Sequence, residues 1–460
     1  MAGVHGSLSE QEANAAQAAF DDYDLPSAEA RFDYALTLDN DNDIARIGLA
    51  LAKSGRGKHF EALDLIETVK PSADGAAAHA QIALNAGRYT EARAALDHAM
   101  RLSPKSAAAW TAAAAVAAGS GTEAGWNQSI ADLSMALYCA GSAKTSIRMD
   151  RVASYMALNR FDEALADLDK ILQEKPHLAP AHWNRAVALL SQGQWLAGMQ
   201  EYDWRLKLPW QFAPAFNSLQ TSGLPKWDGA SGRLLLVQEG GFGDTIMALR
   251  YLPLIENCEV TALVPTQLSE LVDCDTVTKF PGDTAAWDFC LPFMSLVPLF
   301  KNIPPAPYLD VSEWSGRIPG NGRSRMGIAW SAGHNHSRRG VRSLPLDKLV
   351  AAFGERFELF SMQNHDHAAA DVRGVHTSHF ADFADLAGLM QLMDVVVSID
   401  TAAIHLAGAL GKPAHLLLDY APEWRWSYPW YESVKTHTQK SIGDWDSALA
   451  EISFDRHGAA

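Results

Sequence analysis

The sequence predicts an N-terminal array of helix pairs (an α-solenoid) followed by two doubly wound α/β lobes, an α plus α/β fold class. The first 215 residues are rich in Ala, Leu and charged residues, and short turn signals recur among them. Beyond residue 232, short apolar runs alternate with helical patterns, which is typical of parallel sheets covered by helices on both faces. A Pro- and Gly-rich break at residues 303–321 splits this second part into two lobes.

The helix pairs are predicted from a repeated turn signal, a Gly or Asn followed by any residue and an aromatic one. The signal occurs as Gly87-Arg88-Tyr89, Asn159-Arg160-Phe161 and Gly193-Gln194-Trp195, with aromatic positions 72 and 34 residues apart. A small residue three positions on (Ala92, Ala164) and a closing proline (Pro104, Pro176) keep the same phase. This 34-residue pattern resembles the tetratricopeptide repeat. The longer gap predicts two units with an insertion at residues 119–125, and a generic helical bundle is the alternative.

The predicted domains are residues 1–215 for the helical repeats, 216–232 for a linker, 233–312 for the first Rossmann-like lobe and 322–457 for the second. The linker is predicted from its Pro, Gly and Ser content. The predicted strands are Arg233–Gln238, Glu259–Val264, Met326–Ser331, Phe357–Met362, Asp394–Ile399 and Ala414–Leu418. In such folds, ligands bind beyond the carboxyl ends of the strands.

Composition narrows the classes of partner. A formal net charge of −16 argues against nucleic acid, because proteins that bind its phosphates usually carry the opposite charge. The N-terminus has no apolar signal region, and no run of about 18 apolar residues predicts membrane insertion. The four cysteines have no zinc-binding spacing. We therefore expect a cytoplasmic protein.

A glycine-rich turn follows the first predicted strand. Gly240, Gly241 and Gly243 permit a tight turn and close approach of the backbone to a ligand. Asp244 is predicted at or near the N-cap of the next helix. Either Asp244 or Thr245 merely caps that helix, or the Asp244 carboxylate faces the cleft and accepts a proton from an acceptor hydroxyl.

A second helix start follows the apolar strand that ends at Asp400. Thr401 can cap this helix, and the small side chains of Ala402 and Ala403 leave its first amide groups uncovered. These N–H groups and the positive end of the helix dipole predict a diphosphate site. His405 lies one turn further on the same face, aimed at that site. An ordinary capped helix with a satisfied histidine is the alternative.

Arginines supply candidate phosphate contacts elsewhere. Arg338, Arg339 and Arg342 lie in a loop after a predicted strand, where guanidinium groups can neutralise phosphate without a metal. The alternative is a solvated basic loop. Arg425 lies within the aromatic run at residues 422–431, which we expect mainly to pack.

Histidines in three short segments raise the question of a metal. The candidate ligands are His334, His336, His365, Asp366, His367, His376 and His379. A metal needs three or four ligands that converge in space, and alternating histidines in loops rarely do so. We expect no metal site.

Five ordered stretches carry a resemblance to a known family: GGFGDTIMALRYLP, MGIAWSAG with RSLPL, DTAAIHLAGALGKP, PEWRWSYPWY and GDW. Together they resemble bacterial proteins that join tetratricopeptide repeats to a glycosyltransferase. Their second half is similar to lipopolysaccharide heptosyltransferases and, more distantly, to O-GlcNAc transferase. The resemblance implies a GT-B fold with an acceptor-side first lobe and a nucleotide-sugar-side second lobe. It also implies inverting, metal-independent transfer without a cofactor.

The resemblance also implies residue roles. Asp244 matches the position of a general base. The element that holds the donor's sugar and phosphates is matched by Asp400, Thr401, Ala402 and His405. Arg342 and Ser343 match an R-S pair before the next helix. The expected catalytic residues are Asp244 and His405, with the base left open between them. The expected donor-binding residues are Gly241, Gly243, Arg338, Arg339, Arg342, Asp400, Thr401, Ala402, Ala403 and Arg425.

One position departs from the family. Relatives usually carry a lysine after the histidine of the basic loop, where this chain has Ser337. The phosphate charge is then expected to fall to Arg338, Arg339 or Arg342, and the donor can differ from that of relatives.

The predicted function is transfer of a sugar from a nucleotide-sugar to a Ser/Thr hydroxyl of an acceptor protein. A repeat array suits a protein segment better than a small sugar. The glycosyltransferases with tetratricopeptide repeats that this chain resembles include flagellin glycosyltransferases. Flagellin is therefore one candidate acceptor. A glycan acceptor and an inactive repeat scaffold are the alternatives.

Overall fold

The computed structural model describes residues 2–140, 144–208, 214–281, 283–311, 318, 320, 322–332, 342–365, 370–371 and 373–454. Arg338 and Arg339 lie outside the described residues, as do His334, His336, Asp366 and His367. The chain forms two compact units. One comprises residues 1–189 and 207–210, and the other comprises residues 190–206 and 211–460.

Helices alone make up the described regular structure of the first unit. They are α1 (Ala2–Asp21), α2 (Leu25–Leu38), α3 (Asp43–Gly55), α4 (His59–Ile66), α5 (Ala73–Asn85), α6 (Tyr89–Leu102), α7 (Ala107–Ala118), α8 (Glu123–Cys139), α9 (Lys144–Ala157), α10 (Phe161–Glu174) and the start of α11 (Ala179–Ser191). Small side chains let neighbouring helices approach closely. At Gly48 of α3, an added Cβ would come within 2.3 Å of the Phe32 ring of α2.

Each predicted turn signal joins the two helices of a pair. Its first residue has a left-handed backbone, with φ of 74° at Gly87, 56° at Asn159 and 77° at Gly193. Glycine, and less readily asparagine, tolerates this conformation, which ends a helix and lets the next one start two residues later. Gly57 (φ 81°) and Gly121 (φ 64°) occupy the same position in two further pairs.

The expected insertion at residues 119–125 is wrong in its location. The turn at Gly121 has the same left-handed geometry as the others. Most of the additional length lies in α8, which has 17 residues where α6 and α10 have 14 each.

The segment predicted as a linker is folded. Helix α13 (Pro214–Thr221) begins it, and Phe216, Leu219, Leu224 and Trp227 are buried. Phe216, Leu219 and Leu224 belong to the core of the first lobe. These apolar side chains lie among the Pro, Gly and Ser residues on which the linker prediction rested. The last repeat helix, α12 (Trp195–Tyr202), also belongs to the second unit rather than to the repeats.

The first lobe contains a four-stranded parallel sheet in the order β3-β2-β1-β4. Its strands are β1 (Gly232–Val237), β2 (Cys258–Leu263), β3 (Asp275–Val277) and β4 (Phe289–Pro292). Its helices are α14 (Phe242–Ala248), α15 (Thr266–Ser269) and α16 (Leu296–Phe300). Strands β3 and β4 were not predicted, and they are short, with three and four residues.

The second lobe contains a five-stranded parallel sheet in the order β6-β5-β7-β8-β9. Its strands are β5 (Arg325–Ala329), β6 (Glu358–Ser361), β7 (Val395–Ile399), β8 (Ala414–Leu418) and β9 (Val434–Thr438). Its described helices include α17 (Leu346–Phe353), α18 (Phe383–Gln391), α19 (Ala402–Ala409) and α20 (Trp445–Ala450). Strand β9 was not predicted, since its sequence VKTHT alternates and is not uniformly apolar.

The fold class is as predicted: helical hairpins that resemble tetratricopeptide repeats, followed by two Rossmann-like lobes with parallel sheets. In each sheet the strand order reverses beside a central strand, between β1 and β4 and between β5 and β7. These switch points are where doubly wound folds bind ligands. Among the described residues, no helix is both long and apolar enough to cross a bilayer.

Candidate functional site

A cavity of about 530 Å³ lies at the carboxyl ends of the central strands. Residues 241–244 and Gln267 line it from the first lobe, and residues 400–403 with Arg342 line it from the second. The cavity therefore joins the two switch points, and the glycine-rich turn and the opening of α19 both border it.

The glycine-rich turn places Asp244 inside the first turn of α14. Gly240 has a left-handed backbone (φ 62°), and the helix starts at Phe242, so that Asp244 is its third residue and not its N-cap. The Gly241 N–H donates to Asp244 Oδ2 over 2.9 Å. One carboxylate oxygen thus stabilises the helix start, as the alternative interpretation expected, while Asp244 also lines the cavity.

The opening of α19 also faces the cavity. Thr401 is its N-cap residue and makes no side-chain capping bond; its hydroxyl instead lies 3.2 Å from that of Ser398. Thr401, Ala402 and Ala403 all line the cavity. Gly243 packs here so tightly that an added Cβ would lie 2.7 Å from His405 Cδ2, so only glycine fits at this position.

A chain of ion pairs crosses the site. Arg425 donates to Asp244 Oδ1 and, over 2.7 Å, to Glu423 Oε2. Arg342 donates to Glu423 Oε1 over 3.1 Å and lies 2.7 Å from Asp400 Oδ2. Asp244 and Arg425 come from different lobes, so this pair links the two sides of the cleft.

The described lining of the cavity has more carboxyl than guanidinium groups. Its carboxyl groups belong to Asp244, Asp382, Asp400 and Glu423, and its guanidinium groups to Arg342 and Arg425. Burial raises the pKa of Asp400 to about 6, although Arg342 opposes that shift. A phosphate ligand therefore has to displace the internal carboxylates from these two arginines or meet further positive charge.

His405 is a buried, neutral imidazole. Burial and then the charge of Arg425 hold its pKa well below the ordinary value. Its ring stacks on Trp426 with centroids 5.0 Å apart, its Nδ1 lies 3.1 Å from the Tyr431 hydroxyl, and its Nε2 lies 3.9 Å from Asp400 Oδ1. His405 also lines the cavity.

The other end of the cavity is largely apolar. Met362, Phe380 and Leu386 contribute to it, and Phe242 contacts Phe383 across the cleft with ring centroids 5.0 Å apart. Such a wall suits a planar base or a sugar face.

Two residues that contact the predicted site side chains directly were not predicted as site residues from the sequence. Glu423 bridges both arginines, and Tyr431 contacts His405. Glu423 stands two positions before Arg425 in PEWRW, and that spacing of opposite charges was the available signal. Tyr431 was assigned to packing, and it is indeed buried.

The predicted aromatic cluster mainly packs. Trp424, Trp430 and Tyr431 are buried, whereas Trp426 is partly exposed beside His405. Among the described residues, no group of three or more His, Cys, Asp or Glu side chains is arranged to hold a metal.

Comparison with known proteins gives structural likeness alone. No protein-family model matches the chain, and no curated protein matches it. A thermophilic tetratricopeptide-repeat protein from Thermus thermophilus shares 23% identity over 40% of this chain and 99% of its own, with a TM-score of 0.33. A family 9 glycosyl transferase from Veillonella parvula shares 10% identity over 50% of this chain and 92% of its own, with a TM-score of 0.36.

A third solved structure, the APC/C hetero-tetramer Cut9-Hcn1, shares 17% identity over 40% of this chain, with a TM-score of 0.33. The match spans only 36% of the length of that chain. Likenesses of this degree do not establish an activity.

Proposed function

We propose that the protein is a glycosyltransferase that moves a sugar from a nucleotide-sugar to a hydroxyl group of an acceptor protein. The observation that carries the proposal is the opening of α19 into the cavity at the two switch points. The first-turn amides and the helix dipole favour a phosphate there.

The leaving nucleotide diphosphate would lie against residues 401–403. Arg342 and Arg425 are close enough to the cavity to contact it once they exchange their present carboxylate partners. Arg338 and Arg339 remain predicted contributors of positive charge. These groups stabilise charge that develops as the bond to the anomeric carbon breaks.

Asp244 is our proposed general base. Its Oδ2 accepts a hydrogen bond from the Gly241 N–H, and its Oδ1 accepts one from Arg425. A phosphate can attract the Arg425 guanidinium group away from Oδ1. Oδ1 then accepts the proton of the acceptor hydroxyl as that oxygen attacks the anomeric carbon and the phosphate oxygen leaves.

His405 is our proposed hydrogen-bond donor. The Tyr308 hydroxyl donates to the Ile246 carbonyl over 2.9 Å, so its oxygen is left as an acceptor. The Tyr431 hydroxyl lies closer to His405 Nδ1 (3.1 Å) than to Tyr308 (3.4 Å), and we assign its proton to Nδ1. His405 then carries its own proton on Nε2, which suits donation to the donor's phosphate or sugar.

The acceptor is proposed to be a protein segment bound by the helical repeats, with flagellin as one candidate. An inactive scaffold is the second candidate function, because Asp244, Arg425, Glu423 and Arg342 already satisfy one another without a ligand.

The decisive test is release of nucleoside diphosphate from a panel of UDP-, GDP-, ADP-, CDP- and dTDP-sugars. The expected result is turnover with one donor and loss of about 10²–10⁴-fold in Asp244→Asn, as for removal of a general base. Nucleoside diphosphate binding should persist in this variant, since removing the carboxylate charge frees Arg425.

The matched control is Asp288→Asn. Asp288 also pairs with an arginine, Arg233, but at the amino end of β1. This control should keep its activity. An absence of binding and turnover with the whole panel would favour the scaffold, and equal rates in Asp244→Asn and wild type would exclude Asp244 as the base.

A further inference from the structure

A buried ion pair joins the 3₁₀ turn after the last helix of the repeat sequence to the glycine-rich turn. Arg205, in the 3₁₀ turn Asp203–Lys207 that follows α12, is fully buried. It donates to both carboxylate oxygens of Glu239, over 2.9 Å from Nε and 2.6 Å from Nη2. Glu239 is itself buried and directly precedes Gly240.

Further contacts fix this pair on all sides. Arg205 also donates to Asp203 Oδ1 over 2.6 Å and to Ser295 Oγ over 2.9 Å. The Met294 N–H donates to Glu239 Oε1 over 3.1 Å. A bidentate pair fixes both distance and orientation, so the start of the turn has one defined position.

Helix α12 contacts the other wall of the cleft as well. The Tyr202 ring meets Trp424 edge-on at 5.5 Å, and the Trp195 ring meets Tyr428 at 4.7 Å and Trp430 at 5.9 Å. These aromatic residues belong to the segment that carries Arg425. Residues 195–205, helix α12 with the 3₁₀ turn after it, thus contact both the turn that carries Asp244 and the segment that carries Arg425.

We infer that Arg205 is a positioning residue for the glycine-rich turn and that residues 190–206, although repeat-like in sequence, are a working part of the catalytic unit. The catalytic part of this inference rests on the proposed function, because it takes the turn to carry the base. Through Glu239, Arg205 holds the Asp244 carboxylate where it can meet both Arg425 and the acceptor hydroxyl. A displacement of about 1 Å at such a site can lower a rate about a hundredfold.

A simpler role is possible for a buried ion pair, namely stabilisation of the fold. Removal of Arg205 alone leaves the Glu239 charge buried without a partner, which is strongly destabilising. Replacement of both partners by apolar side chains is often neutral or stabilising. The double variant Arg205→Met/Glu239→Leu therefore separates positioning from stability.

The experiment compares full-length wild type, Arg205→Met and the double variant. Thermal unfolding measures stability, and hydrogen–deuterium exchange of the peptide spanning residues 238–248 reports the turn without any ligand. Donor hydrolysis, with the nucleotide-sugar that the wild type turns over, gives kcat and KM.

The expected result is that the double variant regains wild-type thermal stability, while exchange in residues 238–248 stays faster than in wild type. Its kcat should be lower by about tenfold or more, with KM for the donor within about threefold, because the phosphate contacts of α19 do not pass through Glu239. As a control, Arg151→Met removes another bidentate pair, with Asp167 in the repeat unit, and should change stability only.

Wild-type exchange at residues 238–248 in a stably folded double variant would overturn the inference. Full recovery of kcat with recovery of stability would also overturn it. The exchange result is independent of nucleotide chemistry, so a failure of the proposed glycosyltransferase activity remains distinguishable from a failure of the positioning role.

Discussion

Single side chains of the site make two kinds of contact at the same time. Asp244 stabilises the start of α14 through one oxygen and pairs with Arg425 through the other. Asp244 therefore both stabilises the start of the helix and lines the cavity. Sequence could place Asp244 at the cleft, but it could not indicate Arg425 as partner, because the two lie 181 positions apart.

The assigned proton position of His405 makes a residue-level prediction. His405→Gln keeps an N–H donor near the cavity, whereas His405→Ala removes it. We expect the Ala variant to lose about tenfold to a hundredfold more donor hydrolysis than the Gln variant, as for loss of one charge-stabilising donor. Steady-state hydrolysis of the nucleotide-sugar measures the difference. Equal losses in both variants would contradict a donor role.

Secondary-structure elements were predictable where local chemistry decides them. The turn signals fixed several helix pairs because the left-handed residue is required by the backbone itself. The turns at Gly57 and Gly121 do not match this signal, since His59 and Glu123 stand where the signal expects an aromatic residue. Helix α13 was not predicted, because the Pro and Ser content of its sequence favoured a linker.

The repeat turns give a stability prediction. Gly87→Ala forces a Cβ into a left-handed backbone and should lower the free energy of unfolding by about 1 kcal/mol. Nothing lies within 4 Å of the added Cβ, so the effect is conformational and not steric. Asn159→Gly at the equivalent turn should be neutral or slightly stabilising. Urea denaturation of the two variants tests this, and an unchanged Gly87→Ala would contradict it.

The strand pair β8–β9 gives a prediction about pH. His415 Nδ1 lies 2.9 Å from His437 Nε2, and both side chains are buried. Burial, with the neighbouring His437 and Lys435, lowers the pKa of His415 to about 4. The unfolded chain therefore takes up a proton near pH 6.5 that the folded protein resists, so this contribution to stability falls as pH drops from 6.5 towards 4.

The expected loss over that range is on the order of 2 kcal/mol. His415→Leu removes the titrating group and should flatten this part of the curve. The measurement is the free energy of unfolding in urea at intervals between pH 7 and 4. Equal slopes in wild type and His415→Leu would contradict a lowered pKa of His415.

The fold class of the whole molecule was predictable from the sequence, but the boundaries of its compact units were not. Apolar runs predicted the central strands, because strands buried on both faces leave that signature. The predicted boundary at residue 215 differs from the division of the compact units, which separate after residue 189, with residues 207–210 grouped with the first unit. The reason is tertiary: the buried pair of Arg205 with Glu239 joins α12 to the lobes, and no local pattern reveals it.

The central claim concerns one helix opening and a negatively charged ligand. Ala402 is the first residue of α19 and lines the cavity, so Ala402→Asp places a carboxylate where the leaving phosphate would lie. An acidic residue in a first turn is favourable for the helix itself, which keeps the variant folded. Ala108→Asp, an exposed position in the first turn of α7, is the matched control.

Isothermal titration calorimetry with the five nucleoside diphosphates measures binding at this helix opening. We expect one of them to bind wild type and Ala108→Asp with the same Kd, and to bind Ala402→Asp at least about tenfold more weakly. Unchanged affinity in a folded Ala402→Asp variant, or no binding to the wild type by any of the five, would contradict it.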